Sequence, residues 1–164
     1  MVISQGGLAN KSGSVLEGIV IGALTAHGFK VIANKDLAKL PASDQEELLI
    51  KNVPYTTLYG SKGKTEFLLK SKKYDWQVRI ECKWQQSAGS VDEKLPHLYL
   101  SAVNAMPEDN VIILIDGDGF RAGAIAWLRD AVKNRLYIPE EKKKKNIMVM
   151  NATEFMTWVN KTFR

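Results

Sequence analysis

The run Val111-Ile112-Ile113-Leu114-Ile115 most limits the folds open to this chain. Uninterrupted apolar residues of this length, followed by the turn Asp116-Gly117-Asp118-Gly119, read as a strand buried on both faces. Such a strand must lie inside a sheet with helices packed on either side. The chain supplies those helices. Over Ser12–Gly28, Val15, Leu16, Ile19, Val20, Ala23 and Leu24 recur at helical spacing, Ser14 and Glu17 have capping-box spacing, and Gly28 is a natural stop. A second helix opens at Ser90, with Pro96 in its first turn and Leu95, Leu98, Tyr99 and Ala102 inside it. Gly123–Asn134 and Thr153–Thr162 are two more. Further strands are expected at Lys30–Ala33, Thr65–Leu69, Tyr74–Lys83 and Ile147–Met150. Helices alternating with strands around a central hairpin give an α/β fold, a three-layer α/β/α arrangement with a central mixed β-sheet.

The signals weaken between Asn34 and Gly63. Ser43–Leu49 reads as a short helix, Pro54 as its stop, Tyr55–Leu58 as extended chain and Gly60–Gly63 as a turn. Residues 1–11 are glycine-rich and polar and read as a loose arm. No internal repeat or linker divides the 164 residues, so one domain with a real core is expected over 1–164.

Composition excludes several classes. No apolar run approaches the ~20 residues of a membrane span, and the first residues lack a basic-then-apolar leader, so a cytoplasmic protein is expected. The single Cys82 excludes an internal disulfide framework, and the two histidines, His27 and His97, lie too far apart to suggest a zinc hydrolase. The net charge of +5, from 23 basic and 18 acidic residues, permits a polyanionic partner. Lys142 to Lys145 read as a solvated loop, with phosphate contact as the alternative.

The chemistry concentrates in Arg79-Ile80-Glu81-Cys82-Lys83-Trp84-Gln85-Gln86. Val78, Ile80 and Cys82 alternate with Arg79, Glu81 and Lys83, which is strand period two, so Glu81 and Lys83 project together and Cys82 faces the core. A hairpin turning within Lys70–Asp75 brings Glu66 to Glu81. Two carboxylates can hold Mg²⁺ while leaving water positions open, and a lysine beside them can orient water and offset charge on a phosphate. Glu66, Glu81 and Lys83 supply that set. The Cys82 backbone carbonyl is a further hard oxygen, and Glu17 is placed to hold an outer water from the first helix.

Glu81-Cys82-Lys83, with an acid on the preceding strand and a glutamate on the preceding helix, resembles the E-x-K half of the PD-(D/E)XK nuclease superfamily, the restriction-endonuclease-like fold. The resemblance spans about Ser12 to Met150. It departs from the pattern in having Glu66, preceded by Thr65, where Asp preceded by Pro is usual. Asp75 is a rival for that acid, but it lies in the expected turn. Glu17 matches the helix glutamate, and Gln85 a glutamine that some members carry after the lysine. The resemblance implies a Mg²⁺-dependent endonuclease, with Mn²⁺ as substitute, in which metal-activated water attacks DNA phosphodiester bonds. It also implies a homodimer able to cut both strands. Lys94, Arg121 and Lys35 are the basic candidates for DNA contact.

Plainer readings stand beside these. Glu81 and Lys83 also fit an exposed strand pair of little energetic worth. Glu17 is explained by a helix cap, Gln85 by a strand end, Asp116 and Asp118 by a turn, and Trp84 by packing. His97 reads as a half-buried structural histidine. At the level of function the alternatives are an inactive nuclease-like domain that only binds nucleic acid, and a protein-interaction module in which Glu66 and Glu81 do not converge.

Overall fold

The computed structural model describes residues 5–164. Helix α1 (Gln5–Thr25) is followed by strand β1 (Lys30–Ala33), then β2 (Glu47–Thr56), β3 (Lys62–Ser71) and β4 (Trp76–Trp84). Next come α2 (Lys94–Asn104), β5 (Asn110–Asp116), α3 (Ala122–Lys133), β6 (Asn146–Met150) and α4 (Ala152–Thr162). The six strands form one sheet in chain order. β1 runs parallel to β2, the strands β2, β3 and β4 are antiparallel, and β4, β5 and β6 are parallel. This is the mixed sheet that the apolar run and the central hairpin demand.

Period-two alternation decides which helices cover which face. Phe67, Leu69, Val78, Ile80, Cys82, Ile112 and Leu114 pack with Leu16, Val20 and Leu24 of α1 and Phe155 and Val159 of α4. Val111, Ile113 and Ile115 point the other way and pack with Leu95, Leu98 and Tyr99 of α2 and Leu128 and Ala131 of α3. Both faces of β5 are therefore buried, as its unbroken apolar run requires.

Several expectations need correction. Residues 5–11 are helical, and residues 1–4 of the expected arm lie outside the described residues. Ser14 consequently sits inside α1, not at its start; propensity is a weak guide against tertiary context. Among the described residues Asn151 and Glu154 form a capping box, at the start of α4. Ser43–Leu49 is not a helix: a 3-10 turn covers Ala42–Asp44, and β2 begins at Glu47. The short apolar run Leu48-Leu49-Ile50 fits either structure by spacing alone; pairing with β1 and β3 makes it a strand. Pro54 does not end β2. β1 reaches only as far as Lys51, so Pro54 pairs with β3 on one side and needs no donor on the other. The lysine run is not simply solvated. Lys145 is buried and donates to the carbonyls of Met106 and Glu108, and Lys142 donates to those of Val103 and Asn104 at the end of α2.

Arg79 alternates with the apolar Val78 and Ile80 along β4, yet it is only 1% exposed. Its guanidinium donates to both carboxylate oxygens of Glu108, to the Val53 carbonyl at 3.2 Å and to the Thr65 hydroxyl at 2.8 Å. The ring of Tyr55 stands 5.6 Å from it. Truncating one partner of a buried pair strands the other charge, which costs about 3–5 kcal/mol. Glu108→Ala is therefore expected to lose that much in a urea melt. A loss below about 1 kcal/mol would mean that Val53 and Thr65 satisfy Arg79 unaided.

Candidate active site

The site forms where β4 loses a neighbour. The β3–β4 ladder runs from Ser71 opposite Trp76 to Phe67 opposite Ile80 and stops there. Glu81 to Trp84 stay in register with β5 on one side only. Meanwhile β3 continues with β2 as a two-stranded ribbon out to Lys62. The departure coincides with Asn52, which has φ +56°. Its place lies between the pairs Lys51–Phe67 and Val53–Thr65, directly across from Glu66, and that one rung is missing. Asn is among the few residues that take the left-handed conformation without large strain.

The open edge of β4 is filled by the Glu66 side chain, whose Oε2 accepts from the backbone N–H of Cys82 at 2.9 Å. In a strand the N–H and C=O of one residue point to the same edge, so the Cys82 carbonyl faces the same opening. Glu81 and Lys83 are in register with Ile113 and Ile115 and share their face. Cys82 turns to the opposite face, where burial pushes its thiol far up and leaves it inert. Glu81 is buried, and its Oε1 accepts from Lys83 Nζ at 2.5 Å. Its Oε2 is buried and receives no hydrogen bond from a donor, while the Glu66 carboxyl lies within hydrogen-bonding reach of the Glu81 carboxyl.

Burial pushes the Glu81 carboxyl up; Lys83 pulls it back, Glu66 pushes it further, and the result is about 7. Burial alone would lower the Lys83 ammonium, but Glu81 and then Glu66 outweigh it, so it lies above its ordinary value and is protonated at neutral pH. The Tyr55 phenol is also raised, first by burial and then by Glu81.

The structure thus brings Glu66, Glu81, Lys83 and the Cys82 carbonyl together. It places the other candidates differently. Glu17 is half-buried on α1, and its charge acts on the Cys82 thiol, on the face away from Glu81. Gln85 turns its amide to the Ser87 carbonyl, while its backbone N–H donates to Asp116 O and its carbonyl accepts from Gly119 N at 2.8 Å. Gly117, at φ +101°, lies so close to the Gln85 carbonyl that a Cβ would collide with it. The turn after β5 therefore clamps the chain as it leaves β4. Asp116 is occupied by the N–H groups of Gly117 and Ala152, which supports the turn reading. Lys94 is exposed on α2. Arg121, 77% exposed, stands 3.4 Å from Asp92. Lys35 is exposed just after β1. His97 is not half-buried: it is exposed and stacked on Tyr59, with ring centroids 5.5 Å apart. Sequence reasoning missed Tyr55, the Arg79–Glu108 pair and Asn52. Only Asn52 carried a usable signal, as a turn-type residue inside a strand pattern.

A mixed sheet between helical layers, with two carboxylates and a lysine at a frayed strand edge, defines a nuclease-like α/β protein with the restriction-endonuclease-like arrangement. The model of the PD-(D/E)XK nuclease superfamily domain matches residues 8–163, and the chain belongs to that superfamily. No curated protein and no solved structure matches it. The family is one of nucleases, generally dependent on a divalent metal and acting on nucleic acid. Among the described residues no helix is long and apolar enough to cross a membrane.

The donor set fits such an ion. Among the described residues no three His, Cys, Asp or Glu side chains gather as a metal cluster; the oxygens available at the opening are the two carboxylates of Glu66 and Glu81 and the Cys82 carbonyl. All three donors are hard oxygens, which suit Mg²⁺ or Mn²⁺ and leave places for water. The orphaned Oε2 of Glu81 is the atom that lacks a partner.

The raised carboxyl has a measurable consequence. Between its ordinary 4.5 and about 7, Glu81 holds a proton in the folded chain that the unfolded chain has released. The native state then binds more protons, so stability falls as pH rises through that window, by at most about 3 kcal/mol. In chelator, Glu81→Gln is expected to be more stable than wild type at pH 8 relative to their difference at pH 4.5, as read by urea midpoints. Parallel pH profiles for the two proteins would show that Glu81 ionises normally.

Proposed function

We propose that this protein is an endonuclease hydrolysing DNA phosphodiester bonds, with Mg²⁺ as its ion and Mn²⁺ able to substitute. The observation that carries this reading is the meeting of Glu66 and Glu81 at the open edge of β4, with one Glu81 oxygen buried and unpartnered beside Lys83. Under this reading Glu66, Glu81 and the Cys82 carbonyl hold the ion. Bound there, the ion would supply a Lewis acid that generates a hydroxide-like nucleophile near neutral pH and offsets charge on the phosphate.

The remaining steps belong to side chains of this chain. Lys83, kept protonated by its two carboxylate neighbours, donates to the attacking water or to a phosphate oxygen as negative charge builds there. An ammonium has no lone pair to offer a cation, so its role is separable from that of the glutamates. Glu17 lies on the Cys82 face of the sheet, so an outer water that it holds from α1 would sit at the open edge of β4, between the two faces. Gln85 keeps the exit of β4 in place through its backbone bonds to the clamping turn. Lys94, Arg121 and Lys35 contact phosphates. One site cuts one strand, so cleavage of both strands of a duplex calls for a homodimer. The cytoplasm is the expected compartment.

Incubation with supercoiled plasmid and Mg²⁺ or Mn²⁺ tests the reading: wild type is expected to nick or linearise it, and chelator to prevent this. Glu81→Ala is expected to lose both cleavage and metal binding, measured by calorimetric titration. Lys83→Ala is expected to bind metal as before while cleaving roughly 10²–10³-fold more slowly, as when one transition-state donor is removed. Wild-type cleavage by Lys83→Ala would make it a surface lysine. A wild-type protein that binds DNA without cutting it would be an inactive member of its family.

A further inference from the structure

A groove of about 570 Å³ lies where β1, β2 and β3 end, and its polar lining is Asn34, Lys35, Asn52, Lys62 and Lys64. No carboxylate lines it. Among the described residues none of these three lysines enters an ion pair, whereas Lys39, Lys72, Lys83 and Lys143 do. Asp36, the acid next to Lys35 in the chain, is already taken by Lys39 at 2.8 Å. Three lysines without an ion pair thus line one concavity that no carboxylate lines. Such a field draws in an anion with several charges.

The groove is tied to the candidate site through the backbone. Lys62 and Lys64 alternate with Glu66 and so share its side of β3. At ~3.3 Å per residue, Lys64 lies roughly 7 Å along the strand from Glu66. Asn52, which lines the groove, stands across the missing rung from Glu66. Other basic groups are less free: Lys142 and Lys145 are spent on backbone carbonyls, and Arg121 is beside Asp92.

We infer that this groove is the track for the phosphodiester backbone of the nucleic acid, in which Lys35, Lys62 and Lys64 pair with successive phosphates and Asn34 and Asn52 donate amide hydrogen bonds, leading the strand to Glu66 and Glu81. The inference rests on the nuclease reading and specifies the side from which substrate enters. Lysines act as point charges on phosphates and carry no base information, so the track reads any sequence.

The test compares Lys35→Gln/Lys62→Gln/Lys64→Gln with the control Lys73→Gln/Lys133→Gln/Lys161→Gln, which removes equal charge from exposed positions elsewhere. A fluorescent DNA duplex is titrated by anisotropy in Ca²⁺ over a salt series, and cleavage is followed in Mg²⁺. The groove variant is expected to bind about tenfold or more weakly at moderate salt, with a salt slope shallower by roughly 2–3, while the control stays within about twofold of wild type. Cleavage at sub-saturating duplex is expected to fall in step with the lost binding, with unchanged melting curves. Equal losses in both variants, or wild-type binding by the groove variant, would overturn the track. A wild-type protein that binds but never cuts defeats the nuclease reading alone, since anisotropy still tests the groove. A wild-type protein that does not bind duplex defeats both.

Discussion

The Arg79 guanidinium is the group on which the rest of the structure depends. It lies inside the protein, where an unpaired charge is intolerable. Its partners come from β2, β3 and the chain just ahead of β5: the Val53 carbonyl, the Thr65 hydroxyl and the Glu108 carboxylate. Satisfying one cation thus fixes where the β2–β3 ribbon leaves β4. Tyr55 covers the guanidinium and packs against the α2–α3 core, so the ribbon is held down beyond the departure. Glu81 lies two residues from Arg79 on the same side of β4.

The candidate site is built from a fault in the sheet. If the β3–β4 ladder ran on past Phe67, the Cys82 N–H would bond to β3 backbone, and Glu66 would be one more cross-strand neighbour. The left-handed turn at Asn52 interrupts β2 at the corresponding rung and lets the ribbon swing away. Glu66 then occupies with its side chain the place a backbone carbonyl would have taken. Irregularities of this kind recur beside active sites because they re-aim a side chain without disturbing the core behind it. Here that core is the layer of Cys82, Ile80 and Phe67 against α1.

Electrostatics at the opening are deliberately unbalanced in the physical sense that two carboxylates face one ammonium. Lys83 satisfies one oxygen of Glu81 and leaves the other bare. Burial, offset by Lys83 and reinforced by Glu66, is why the carboxyl sits near neutrality, and either a proton or a divalent cation would relieve the bare oxygen. The lysine-lined groove has the opposite imbalance, and the two lie along the same strand, β3.

Much of the architecture was legible in residue spacing. The unbroken apolar run of β5 called for a doubly covered sheet, and the alternation in β4 separated Glu81 and Lys83 from Cys82. Both follow from how a strand projects its own side chains, a property local to the backbone. What spacing misread was whatever depended on a distant neighbour. Leu48-Leu49-Ile50 became a strand because β1 and β3 flank it, and Pro54 survived inside β2 because β1 had already ended. Lys145 looked solvated until the carbonyls of Met106 and Glu108 took up its ammonium. The chain by itself determined which residues point together along one element. Only the tertiary structure decided that Glu66 meets Glu81, because that contact needs two strands to part at Phe67, and the parting is set by a buried cation and an asparagine that local periodicity does not register.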